Sequence, residues 1–515
     1  MAGVAAGRRY GGCIIGNVLA FRPRKRKKQT MDHENGRKRG FQLSGAQASV
    51  LFAAIALVPL AAAALSGLEP VGRWSEFSSG LALIAAALVF LQFLTSGRYE
   101  SLSGRIGIDR VMGFHRLSAV ALILFAAVHP LSYVGAALIE DPWAAFHRFT
   151  AMLAGYRMRS GVAALAILFL AVAFTSLRSS RFVRYVYWRA SHGLFAVAGV
   201  GLVFHHALTV GSYSAEAGVR FAWLALAALA VGSGFMIYVV RPWRMGREDW
   251  RVAGVRRLGE GVVQMVLRGP TDTTLGFRAG QFIWMTVAPF RPPLHDHPFS
   301  IASSPKELPE LRLIVREAGD CTNSFAAIEP GRRVFIDGPH GNFVLPENAQ
   351  RVVMVAGGVG IAPLIGMLED AAAKRDKRSF HLLYAARNAQ SLAGIERLRE
   401  LQSRLDLTLT CCLDQRCDDP GIDAGPLTDE KFTELLCGLP PEDVSALICG
   451  PAGLMEKAAD RLLALGVPGG QIHYERFDYA AGRGRLDARR RRRVADIVHC
   501  CARLQSALTL NDWPA

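Results

Sequence analysis

The chain has 515 residues, 51% of them hydrophobic, and a formal net charge of +17. That length leaves room for several domains, and the apolar share is high for a purely water-soluble enzyme. The basic charge sits at 22–28 and 36–40, in short loops between apolar stretches, and in an arginine run at 489–493; no recognition motif accompanies it, which argues against nucleic acid as a partner.

The first 47 residues read as a basic segment with no core of its own, expected to be disordered. The stretch 12–21 is too short to span a bilayer, and its basic run follows rather than precedes it, unlike a signal peptide. Apolar stretches then recur at 48–65, 78–95, 112–139, 160–177, 187–209 and 219–240. Each supplies close to the roughly 20 residues that a spanning helix needs. Region 48–240 is therefore expected to be a six-helix transmembrane bundle. Arginine and lysine crowd the N-terminal segment, the loops after spans two and four, and the residues after span six, while the opposite loops are poor in them. By the positive-inside rule this places both termini in the cytoplasm.

Ionisable side chains are costly in hydrocarbon, so histidines inside the spans need a reason. Span three carries His115 and His129, and span five carries His192, His205 and His206. The two spans run in the same direction, so each offers one histidine near the inner end and one near the outer. That arrangement suits two stacked haems with bis-histidine ligation. Fourteen residues are nearly four helical turns, about 21 Å of rise, so His115 and His129 share a face, as do His192 and His206. His205 would need a local kink, and Gly199 and Gly201 lie where one could form.

From residue 247 the pattern changes to short strands punctuated by Gly and Pro, as in a small antiparallel barrel over 247–346. This region contains His-Pro-Phe-Ser (297–300), Gly-Asp-Cys-Thr (319–322) and Gly-Pro-His-Gly (338–341). Region 347–480 reads as α/β. A buried strand runs into Gly357, Gly358 and Gly360 and then a helix with Pro363 in its first turn, an arrangement that lets backbone N–H groups meet a diphosphate. A second strand ends at Arg387, and a later one leads into Cys449-Gly450-Pro451. Cys412 and Cys417 begin an iron–sulfur spacing that fails at Pro420, and no zinc spacing occurs. Residues 481–515 form a basic tail, expected to be disordered.

In this order the motifs resemble the ferric reductase and NADPH oxidase family: a ferric reductase-type membrane domain fused to a ferredoxin–NADP reductase-type unit. The resemblance implies an antiparallel β-barrel FAD domain and an α/β nucleotide-binding domain that binds NAD(P)H. It implies that His297, Pro298, Phe299 and Ser300 line the flavin, with Phe299 against the isoalloxazine and Ser300 near its reactive nitrogen. Thr322 would hold the FAD diphosphate, Cys449 would orient the nicotinamide beside Gly450 and Pro451, Arg387 would meet a 2′-phosphate, and Phe477 would cover the flavin. Two b haems would be held by His115 with His192 and by His129 with His205, the family alignment favouring His205 where helix geometry favours His206. The expected activity is a flavohaem oxidoreductase in the plasma or inner membrane, passing electrons from cytoplasmic NAD(P)H to a ferric chelate outside. Alternatives are an oxidase making superoxide from oxygen, and a flavin reductase merely anchored by a haem-free membrane domain.

Overall fold

The computed structural model describes residues 45–99, 106–177, 185–319, 321–415 and 425–476. Phe477 and the two terminal segments expected to be disordered, apart from residues 45–47, lie outside these. Among the described residues, six helices are long and apolar enough to cross a membrane. They include α1 (Gly45–Ala64), α2 (Arg73–Leu91) and α3 (Ile108–Tyr133). After α3 come two short helices, α4 (Gly135–Glu140) and α5 (Pro142–Ala154), then α6 (Arg159–Leu177), α7 (Tyr185–Val210) and α8 (Ala217–Phe235). Leu117, Leu124, Leu194, Val197 and Phe221 point outward, as lipid-facing side chains would, while Phe90, Leu91 and Trp223 are buried. Helix α2 is the central one, packed on α1, α3, α7 and α8; α6 pairs with α7.

The third span is shorter than the expected 112–139. The helix stops at Tyr133, and the chain restarts as α4. Helix α5 had no counterpart among the expected elements; Asp141 caps it, accepting from the N–H groups of Trp143 (2.9 Å) and Ala144 (3.1 Å), with Pro142 in its first turn. At the other end of the bundle α8 runs through a π turn (Met236–Val240) into α9 (Arg241–Met245).

Next comes a six-stranded antiparallel sheet of β1 (Trp250–Gly259), β2 (Val262–Arg268), β3 (Phe282–Val287), β4 (His297–Ser300), β5 (Glu310–Arg316) and β6 (Arg333–His340), in the order β4-β3-β6-β1-β2-β5. The two ends of that order meet at one bridge, Ile301 to Leu313, so the sheet curls back on itself. The inward residues of β3, Ile283 and Met285, join Val263, Leu313 and Phe325 in its core. Strand alternation sends Phe282 and Trp284 to the other face, where Ile108 and Met112 of α3 cover them.

The last unit is a five-stranded parallel sheet, β11-β10-β7-β8-β9, made of β7 (Arg351–Gly357), β8 (Ser379–Ala386), β9 (Leu407–Leu413), β10 (Val444–Cys449) and β11 (Ile472–Glu475). Its central strands β7 and β10 are almost wholly buried and rich in Val, Ile and Leu, as two-sided burial requires. Helices α10 (Ile361–Ala373), α11 (Ile395–Gln402), α12 (Asp429–Leu435) and α13 (Ala452–Ala464) connect them. Helix α10 lies on the antiparallel sheet so closely that a Cβ at Gly366 would sit 2.7 Å from the Ile301 carbonyl. One hydrophobic cluster runs across this seam, from Ala302, Ile314 and Phe343 to Ile365 and Met367.

Candidate functional site

The strand order of the parallel sheet reverses between β7 and β10, the position where open α/β sheets bind ligands. The expected motifs end there side by side. A Cβ at Gly360 would lie 2.3 Å from the Cys449 carbonyl, and one at Gly357 would lie 2.8 Å from Pro451 Cδ. Gly450 is packed against the Gly357 backbone in turn. Gly358 differs: its φ is +53°, a left-handed conformation, and the space where a Cβ would point is open. It opens the turn before α10, whose N-terminal N–H groups include no donor from Pro363. This cradle fits a dinucleotide diphosphate. Burial pushes the Cys449 thiol well above its ordinary pKa, with Glu475 adding to the effect, so the group is a neutral thiol and not a nucleophile. Arg387 is exposed just after β8.

From Cys449 a short route leads to the flavin motif. Cys449 pairs with Glu475 across β10 and β11, and a Cβ at Gly341 would lie 3.3 Å from the buried Glu475 Oε1 and 3.0 Å from the Phe282 ring. Phe282 is the strand partner of Ser300. The Ser300 hydroxyl is buried with no hydrogen-bond partner, as are the Trp284 indole N–H and the Thr286 hydroxyl. A buried hydroxyl left unpaired is costly, so Ser300 Oγ fits a site completed by a bound flavin. Pro298 lies opposite Trp284 on the same outward face. Thr322 instead accepts from the Ala318 N–H (3.0 Å), shaping the loop that Phe325 anchors in the core.

Phe299 turns inward. It is 8% exposed, in the core of the antiparallel sheet, with its ring 5.5 Å from that of Phe325. Alternation along β4 turns Phe299 inward and Ser300 outward.

The membrane helices dock on this outward face. Arg98, after α2, holds Asp296 through both carboxylate oxygens (2.7 and 3.0 Å), and its guanidinium lies 4.1 Å from the centre of the Trp284 ring. Arg189 of α7 pairs with the same carboxylate. Arg241 reaches Asp337 at 3.3 Å. The ring of His297 lies 5.7 Å from that of Tyr185. Burial holds the His297 imidazole below its ordinary pKa, against the pull of Asp296. Motif reading missed Arg98, Arg189, Asp296 and Trp284; Asp296 beside the His-Pro-Phe-Ser stretch was the one local signal.

Within the bundle, each level brings one histidine from α3 toward one from α7. His115 and His192 are close enough to interact electrostatically, and so are His129 and His206. Every one of the four presents Nδ1 to a hydroxyl on the preceding helix or its end. His115 meets Thr95 (3.0 Å), His192 meets Thr175 (3.4 Å), His129 meets Ser78 (2.9 Å) and His206 meets Ser160 (3.3 Å). Thr95 donates its own proton to Gln92 O, Thr175 to Ala171 O and Ser78 to His129 O. With those protons so placed, the Nδ1 atoms of His115, His192 and His129 donate, which leaves their Nε2 atoms unprotonated and able to ligate iron. The donor set fits one histidine pair for a haem at each of two levels. His205, expected as the outer partner of His129, is exposed instead, and His206 takes that place with its ring against Gly161. The cause is the four-turn spacing from His192, which the unbroken helix α7 preserves.

Comparison with known proteins agrees with this layout. Residues 81–203 match a ferric reductase like transmembrane component, 247–343 an FAD-binding domain and 354–460 an oxidoreductase NAD-binding domain. The chain is 26% identical over 237 residues to the reductase component of propane 2-monooxygenase from Rhodococcus jostii, covering 44% of this chain and 62% of that protein. It is 29% identical over 255 residues to the flavohemoprotein of Pseudomonas aeruginosa, covering 48% of this chain and 62% of the relative. It thus spans about three fifths of the length of these two relatives. Among solved structures, the Amycolatopsis cytochrome P450 reductase GcoB superposes with a TM-score of 0.40 at 25% identity, covering 45% of this chain and 70% of that one. With its three matched regions in this order, the chain joins a ferric reductase-like transmembrane component to an FAD-binding domain and an oxidoreductase NAD-binding domain.

Proposed function

We propose that the protein is a transmembrane flavohaem reductase that moves electrons from cytoplasmic NAD(P)H to an acceptor on the far side of a plasma or inner membrane, with a ferric chelate as that acceptor. The observation that carries this reading is the pairing of histidines at two depths, each with Nδ1 facing a hydroxyl of a neighbouring helix. When bound, FAD converts a hydride into single electrons and two b haems relay them. His115 and His192 would hold the inner haem, and His129 and His206 the outer one. Gly358 and the start of α10 receive the nucleotide diphosphate, Arg387 is placed for a 2′-phosphate, and the neutral Cys449 orients the nicotinamide beside Gly450 and Pro451. Ser300 donates to the flavin, and Thr322 shapes the loop for its diphosphate. The basic loops on the reductase side support the cytoplasmic placement of that half.

The test uses full-length protein in detergent. Two haems per chain with bis-histidine spectra, bleached by NAD(P)H without oxygen and restored by a ferric chelate, are expected. A haem-free protein that still oxidises NAD(P)H would reduce the membrane half to an anchor. Reoxidation by oxygen with superoxide release, and none by the chelate, would make it an oxidase.

A further inference from the structure

Helix α7 begins at Tyr185 and reaches His192 two turns later. Residues 185, 188 or 189, and 192 fall at the three- and four-residue steps that share a helix face. Along that face aromatic rings follow one another. The Tyr185 ring lies 5.7 Å from His297 and 5.4 Å from Trp188, and the Trp188 ring lies nearly parallel to His192 at 5.7 Å and 22°. These separations are those of ordinary packed aromatic pairs. The run starts at the His-Pro-Phe-Ser strand and ends on a proposed inner haem ligand.

The register of this run is fixed from both sides. Arg189, one residue after Trp188, is paired with Asp296, one residue before His297. Arg98 holds the same carboxylate, which is 1% exposed, and stacks on Trp284. The ion cluster thus ties the haem-bearing helix to the flavin-bearing strand at the level of the rings.

The geometry points to Trp188 and Tyr185 as the electron conduit between the flavin site and the inner haem, with the Asp296 cluster as the positioning element that keeps the rings packed. This rests on the proposed function above. Two electrons and one proton leave the anionic reduced flavin, the electrons pass singly, and two ferric ions become ferrous. The rings are neither oxidised nor reduced overall; they fill with polarisable π density a gap that aliphatic side chains would leave poorly bridged.

The experiment compares wild type, W188L, W188F and Y185L as full-length protein mixed anaerobically with NAD(P)H, following flavin and haem absorbance separately. Haem content, spectra and midpoint potentials are recorded first. W188L is expected to keep both haems at unchanged potentials, to let the flavin bleach, and to slow inner-haem reduction by about tenfold or more, as displaced reacting partners do. W188F, which keeps a ring, is expected to recover most of the rate. Haem reduction in W188L within about twofold of wild type, with potentials unchanged, would overturn the conduit. If W188L loses haem, Y185L decides: slowed transfer supports the conduit and wild-type transfer overturns it. Failure of wild type itself to show haem bleaching would sink the proposed function instead, so the two failures are distinct.

Discussion

At His115 the hydroxyl of Thr95 gives its proton to Gln92, so the imidazole nitrogen facing it has to donate and the far nitrogen is left with its lone pair. Replacing Thr95 by Val keeps the shape and removes that acceptor. Such outer partners typically carry on the order of 10–100-fold in metal affinity, and Thr95→Val should weaken inner-haem binding on that scale. Haem titration into the apoprotein checks this; unchanged affinity would mean that the hydroxyl does not orient the ligand. His297 carries a pH dependence. Its folded pKa is depressed by burial, so the unfolded chain binds the proton first as pH falls below about 6.5. The associated stability is present above that value and is lost as pH falls through the folded pKa. Thermal unfolding followed from neutral to mildly acidic pH should show a shallower loss in His297→Gln than in wild type; equal slopes would show that His297 is not the group titrating.

At the scale of elements, two glycine turns lock the parallel sheet. The carbonyl of Cys449 occupies the place a Gly360 side chain would need. Gly360→Ala must therefore push β10 away from the start of α10, and overpacking of this kind costs about 1–3 kcal/mol. A lower midpoint of chemical unfolding, together with weaker NAD(P)H binding, is the expected result; binding lost with full stability would place Gly360 at the ligand instead. These turns were readable in the sequence because their signal is local: strand, glycines, helix and Cys-Gly-Pro each occupy a few consecutive residues. The spans and the four-turn histidine spacing were readable for the same reason. The inward turn of Phe299 was not legible because its motif does not say which face of β4 turns inward; that depends on the register with β3. The early end of α3 and the short α4 escaped because a single apolar run, 112–139, covered the helix, its break and most of the piece that follows.

At the scale of the whole molecule, Arg98 and Arg189 of the membrane half share one buried carboxylate of the reductase unit, Asp296. Arg98 and Asp296 are 198 residues apart in the chain, so no motif could join them. Asp296→Ala would leave two arginines facing a buried gap. Removing one partner of a buried ion pair costs about 3–5 kcal/mol, and the expected result is lower stability with flavin-to-haem transfer slowed more than flavin reduction. Equal slowing of both steps would count against a coupling role. The central claim is that two histidine pairs hold two haems across the bundle, with His206 and not His205 at the outer level. Haem stoichiometry of purified wild type, His205→Ala and His206→Ala tests it most directly. The account predicts two haems in wild type and His205→Ala, and one in His206→Ala. A His205→Ala protein that loses a haem while His206→Ala keeps both, or a wild type with none, would contradict it.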